Sequence, residues 1–164
     1  MTTAGTETTQ VYRVYIKATP QAIWEAITDP EWTVRYGYGG RAVYDPDLRT
    51  GAAYRALADE EMQAAGMPEA VVTGEVIEAD PPHKLVQTWQ AQWEPVEAVT
   101  RLTYEIEAGE GGVSKLTVTH ELVGAPGVAA MVGGELESTG AGGGWAQVLS
   151  DLKSLLETGQ GLYG

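Results

Sequence analysis

Gly144-Trp145-Ala146-Gln147-Val148-Leu149-Ser150-Asp151-Leu152-Lys153-Ser154-Leu155-Leu156-Glu157 is the stretch whose pattern decides the fold. Trp145, Val148, Leu149, Leu152, Leu155 and Leu156 recur at intervals of three and four, which gathers them on one face of an α-helix. Asp151, Lys153, Ser154 and Glu157 are expected on the other side, and Gly159 supplies a C-terminal cap. Burying six such apolar side chains contributes roughly 9–18 kcal/mol before entropy is counted. A helix of this kind must lie on a large apolar surface.

The residues before it supply that surface as strands. In residues 11–17, Tyr12, Val14 and Ile16 alternate with Arg13, Tyr15 and Lys17, the pattern of a half-buried strand. Thr19-Pro20 then caps and starts a helix carrying Ile23, Trp24, Ala26 and Ile27, and Asp29-Pro30 starts a shorter one carrying Trp32. Six further strands are expected at residues 41–44, 52–57, 71–79, 85–92, 99–107 and 113–123, with turns at Asp80-Pro81-Pro82-His83 and Gly109-Glu110-Gly111-Gly112. Residues 59–69 read as a polar, acidic connection with room for one helical turn. Strands joined by short turns form an antiparallel meander. Helices set apart from such a sheet make an α+β domain, here a curved seven-stranded sheet with a long C-terminal helix laid across it.

Length and composition narrow the class. The 164 residues suit one domain. We expect a flexible tail at residues 1–8, a single domain at 9–159 and a C-terminal tail at 160–164. There is no Cys, so disulfides, thiolate metal sites and cysteine nucleophiles are excluded. The net charge of -13 opposes a nucleic-acid surface, which needs Lys and Arg to replace phosphate counterions. It also opposes anionic membranes. No run approaches the ~18 apolar residues of a membrane span, and no basic leader precedes an apolar run, so a cytoplasmic protein is expected.

Ile16-Lys17-Ala18-Thr19-Pro20-Gln21-Ala22-Ile23-Trp24-Glu25-Ala26-Ile27-Thr28-Asp29-Pro30-Glu31 resembles the opening strand and paired helices of the SRPBCC, or START-like, superfamily. This is the helix-grip fold of the birch pollen allergen. The segment from Gly74-Glu75-Val76 through Asp80-Pro81-Pro82-His83 to Gln87-Thr88-Trp89 resembles its central hairpin. Leu116-Thr117-Val118-Thr119-His120-Glu121 and Gly144-Trp145-Ala146-Gln147-Val148-Leu149 resemble its last strand and closing helix. The branch it is most similar to is the C-terminal domain of the activator of heat-shock-protein-90 ATPase. The founding members of that branch carry a further N-terminal domain that these residues do not supply. The resemblance implies a bowl between sheet and helix that need not be filled, with three readings of its use: a carrier of a hydrophobic or amphipathic small molecule, a cyclase- or dehydratase-type enzyme, or a protein-interaction module with a chaperone partner. It leaves open whether the chain is a monomer or a homodimer.

His83 and His120 are the only histidines, and no His-x-x-x-His or His-x-Glu spacing accompanies them, so no metal site and no cofactor are expected. Alternation places His120 with Leu116, Val118 and Leu122. There it is a polar anchor for a ligand, a general base tuned by burial, or a core histidine bonded to a neighbour. Tyr12, Gln87, Trp89 and Tyr104 are expected to face inward, a lining suited to a mostly apolar molecule. Trp32, Met131, Trp145, Val148 and Leu152 complete the candidate ligand-binding set. No catalytic residue is assigned. The glycine run 140–144 fits neither dinucleotide nor phosphate-loop spacing and reads as a flexible lead into the closing helix. Residues 125–144 read as a mobile lid at the bowl's mouth or as a disordered connector.

Overall fold

The computed structural model describes residues 9–140 and 142–163; the expected N-terminal tail lies outside them. Alternation around Val14 produces β1 (Thr9–Ile16). The Thr19 hydroxyl accepts the Ala22 N–H at 3.1 Å and Pro20 fills the first turn of α1 (Pro20–Thr28). Asp29 repeats the device for α2 (Pro30–Thr33), accepting the Glu31 N–H at 2.9 Å. There follow β2 (Arg41–Asp45), β3 (Ala53–Leu57), α3 (Glu60–Ala64), β4 (Ala70–Asp80), β5 (Lys84–Ala91), β6 (Thr100–Ala108), β7 (Ser114–Glu121), α4 (Pro126–Val132) and α5 (Gly144–Thr158).

The strands form one antiparallel sheet in the order β1-β7-β6-β5-β4-β3-β2. Every neighbour except the β1–β7 pair is also consecutive in sequence, as short turns require. β4 bulges between Val76, which pairs with Gln87, and Glu78, which pairs with Val86. The extra residue resets the alternation, so Val76 and Ala79 both join the core although they lie three apart. At Gly74 the backbone of β5 comes so close that a Cβ would stand 1.9 Å from the Thr88 carbonyl oxygen. Leu85, Leu102, Ile106, Leu116 and Val118 of the sheet pack with Ile23 and Ile27 of α1 and Leu149 and Leu152 of α5.

Three expectations are revised. Asp151, assigned to the outer side of α5, is only 6% exposed. Its Oδ2 accepts the Gly37 N–H at 2.8 Å and its Oδ1 accepts the Leu162 N–H at 2.7 Å. A carboxylate can be buried when it is satisfied this way, and residue spacing does not reveal such partners. The residues after α5 accordingly fold back along it, with the Gln147 side chain donating to the Tyr163 hydroxyl at 2.5 Å.

Residues 125–140 are no disordered connector, since they contain α4. Glu97 caps that helix, its two carboxylate oxygens accepting Gly127 N–H at 3.0 Å and Val128 N–H at 2.8 Å. Gln10 of β1 donates to the Ala129 carbonyl at 2.9 Å. The glycine run is a packing requirement as well as a bend. Gly144 has φ +70, and a Cβ there would lie 2.1 Å from the Val132 carbonyl oxygen, because α5 begins against the end of α4. Among the described residues no helix is long and apolar enough to cross a membrane.

Candidate functional site: a cavity beneath the closing helix

The curled sheet and α5 do not meet everywhere. Between them lies a cavity of about 650 Å³. Its floor is the inward face of β2–β6, where Ala42, Tyr54, Ala56, Val72, Trp89 and Tyr104 recur at alternate positions. Its roof is Trp145, Val148, Leu149 and Leu152 of α5. Met62 and Met67, on and just after α3, and Met131 and Val132 of α4 close the sides. The rim is made by residues 36–40 and by Gly140, Gly142 and Gly144. Tyr38 bridges these two rim segments: its hydroxyl accepts the Gly144 N–H at 3.3 Å, and a Cβ at Gly142 would stand 2.8 Å from it.

Of the candidates, Trp89, Tyr104, Met131, Trp145, Val148 and Leu152 line the cavity. Tyr12, Trp32, Gln87 and His120 do not. Tyr12 donates its hydroxyl hydrogen to the Gln10 side-chain oxygen at 2.6 Å, on the β1 side under α4. Trp32 packs on the outer edge of the main core with the Arg35 guanidinium 4.6 Å over its ring. Gln87 is 1% exposed and accepts the Tyr44 hydroxyl at 2.9 Å.

His120 is the informative case. It points inward, as alternation requires, but it sits one layer behind the cavity wall and is wholly buried. Trp89 and Trp145 stand edge-on to it, with ring centroids at 5.1 Å and 6.0 Å. The Trp145 indole, which can only donate, donates to His120 Nδ1 at 3.1 Å. The imidazole hydrogen is therefore on Nε2, facing the Thr100 hydroxyl at 2.8 Å. Thr100 in turn donates to the Trp89 carbonyl at 2.5 Å. Both ring nitrogens are occupied, and a proton on Nδ1 would oppose the indole N–H. Burial pushes the His120 pKa down to about 4, so the ring is neutral. The arrangement fixes the Trp145 and Trp89 walls; it presents no base to the cavity.

A belt of buried and half-buried tyrosines runs through the same region. Burial raises the pKa of Tyr36, Tyr44, Tyr54 and Tyr104, so all four are neutral phenols. Tyr36 donates to the Ala26 carbonyl at 2.9 Å. The lining residues Trp93, Met62, Met67 and Tyr54 were not among the candidates. Trp93 was findable, since it continues the Gln87-Trp89-Ala91 alternation past the end of β5. Met62 and Met67 were not, because they lie in a connection with no period.

The chain matches the family described as activator of Hsp90 ATPase homolog 1-like protein over residues 17–157. No functionally curated protein matches it. Several solved structures share the fold. Protein MLL2253 of Mesorhizobium loti is 20% identical with a TM-score of 0.66, the alignment covering 90% of this chain and 96% of that one. DynU16, a protein in the dynemicin biosynthetic locus, is 22% identical with a TM-score of 0.64, covering 94% of this chain and 49% of that one. PFC0360w, an HSP90 activator from Plasmodium falciparum, is 23% identical with a TM-score of 0.53, covering 70% and 72%. At these identities the likeness is one of fold. With the match over residues 17–157 and the helix-grip architecture both in hand, the chain belongs to the family of activator of Hsp90 ATPase homolog 1-like proteins, within the SRPBCC fold.

Proposed function

We propose that this protein binds a hydrophobic or amphipathic small molecule in the cavity between the sheet and α5. The observation that carries the reading is the cavity itself: about 650 Å³ walled by aromatic, aliphatic and thioether side chains, in the size range of small-molecule sites. A void of that size lowers stability unless something fills it, because its walls forgo packing contacts. The interaction-module reading calls for a core packed throughout by side chains, and here the side chains leave a space between the sheet and α5. The enzyme reading relied on His120, which is occupied on both nitrogens and lies behind the cavity wall.

Titration with Nile red, an uncharged solvatochromic dye, tests the reading. One dye should bind per chain, with a blue-shifted emission and energy transfer from tryptophan. Absence of saturable binding, in protein shown by native mass spectrometry to carry no retained molecule, would refute it.

A further inference from the structure

The chemistry of the cavity wall says more than that the ligand is apolar. Among the described residues, no Asp, Glu, Lys, Arg or His side chain lines the cavity. An ionised group taken inside would have no partner, and an unpaired buried charge is strongly disfavoured. Two acids also stand near the rim. The Asp151 carboxylate lies against Gly37, and a Glu137 carboxylate oxygen lies 3.3 Å from where a Gly143 Cβ would be. An anionic head group resting at the mouth would lie near the Glu137 carboxylate on a chain of net charge -13.

Several polar groups in the wall are committed, while the Trp89 and Trp93 indole N–H groups, like the Tyr104 hydroxyl, have no hydrogen-bond partner among the described residues. Trp145 donates to His120, Tyr36 to Ala26, and the Tyr38 hydroxyl receives Gly144. The Tyr104 hydroxyl has no hydrogen-bond partner among the described residues, yet no side-chain oxygen or nitrogen is buried without one. Tyr104 is half-buried, although it stands on a central strand and on the inward face of the sheet. The surface it exposes is therefore cavity wall, and its hydroxyl is a donor facing that space. The aromatic walls are set edge to face: Tyr104 against Trp145 at 6.2 Å and 82°, and Trp89 against Trp93 at 6.3 Å and 80°. Such walls offer an aromatic ligand ring–ring contacts that an aliphatic chain cannot make, and the thioethers of Met62, Met67 and Met131 add sulfur–ring contacts.

We propose that the cavity selects an uncharged fused-ring aromatic molecule carrying a hydrogen-bond acceptor, which the Tyr104 hydroxyl receives. This deepens the reading that the cavity is the ligand site, and it rests on it.

Four probes at pH 8, followed by tryptophan quenching, test both levels: 1-acetylpyrene, pyrene, pyrene-1-carboxylate and methyl cis-parinarate. The acetylpyrene should bind tightest, the carboxylate at least about a hundredfold more weakly. Tyr104→Phe, which removes an unpartnered hydroxyl and so leaves the fold intact, should weaken acetylpyrene about three- to twelvefold and leave pyrene unchanged. Equal binding of ketone and carboxylate, tighter binding of the parinarate ester, or an unchanged acetylpyrene affinity in Tyr104→Phe would each overturn the selectivity while leaving the cavity as a binding site. Binding by none of the four would overturn both.

Discussion

His120 should make this protein acid-labile in a defined window. Its imidazole is fully buried, accepts the Trp145 indole N–H on Nδ1 and holds its own hydrogen toward Thr100. Protonation would set two N–H groups against each other in a site without a compensating anion. The folded-state pKa is accordingly about 4, against 6.5 for the free side chain. Between those values the unfolded chain holds a proton that the folded chain does not, so acid favours unfolding. The contribution is fully present above pH 6.5 and is lost as pH falls towards 4. The difference corresponds to about 3 kcal/mol, at 1.36 kcal/mol per pH unit. Carboxylates also titrate in this range, so the assay is a comparison: urea unfolding of the wild type and of His120→Gln at pH 7.5, 6.5, 5.5 and 4.5. The stability advantage of the wild type over the variant should shrink as pH falls, by about 3 kcal/mol when extrapolated to pH 4. An advantage independent of pH, or one that grew in acid, would refute the assigned tautomer and burial.

Three further outcomes follow from particular contacts. Leu152, 1% exposed but bordering the cavity, should cost about 2–3 kcal/mol as Leu152→Ala, the low end for a core leucine because one side already lacks packing; a loss near 5 kcal/mol in chemical denaturation would mean the site is closed. Gly144→Ala combines a positive φ with a Cβ 2.1 Å from the Val132 carbonyl, and should lose more than about 2 kcal/mol, measured the same way, unless α4 and α5 separate. Asp151→Ala strips the acceptor from the Gly37 and Leu162 amides; it should cost about 1–3 kcal/mol and speed hydrogen exchange at those two amides, and unchanged exchange there would show that the carboxylate does not hold the rim.

The elements were legible because their periods are strong. Trp145, Val148, Leu152 and Leu155 announce α5 at spacings of three and four, and Leu116, Val118 and His120 announce β7 at spacings of two. What alternation cannot give is depth. It put His120, Gln87, Trp89 and Tyr104 on one face correctly, but whether an inward side chain meets the cavity or its backing depends on how far the sheet curls and where α5 lifts off. So Trp89 and Tyr104 reach the space, while His120 and Gln87 support the wall. Asp151 was misread for a related reason: its partners, Gly37 and Leu162, are backbone groups set by tertiary contact. Met62 and Met67 lay in an aperiodic connection, where a composition of Asp and Glu masked two apolar side chains, one on α3 and one just after it, that reach the cavity.

The five tryptophans allow the central claim to be tested in one measurement. Trp89, Trp93 and Trp145 line the cavity; Trp24 and Trp32 pack elsewhere in the core. In a nitrogen-15 correlation spectrum each indole N–H gives its own resonance. On addition of one equivalent of Nile red, the account predicts that the Trp89, Trp93 and Trp145 indole signals shift together and saturate at one dye per chain, while those of Trp24 and Trp32 stay in place. Shifts confined to Trp24 and Trp32, or saturable dye binding that moves none of the three cavity indoles, would contradict it.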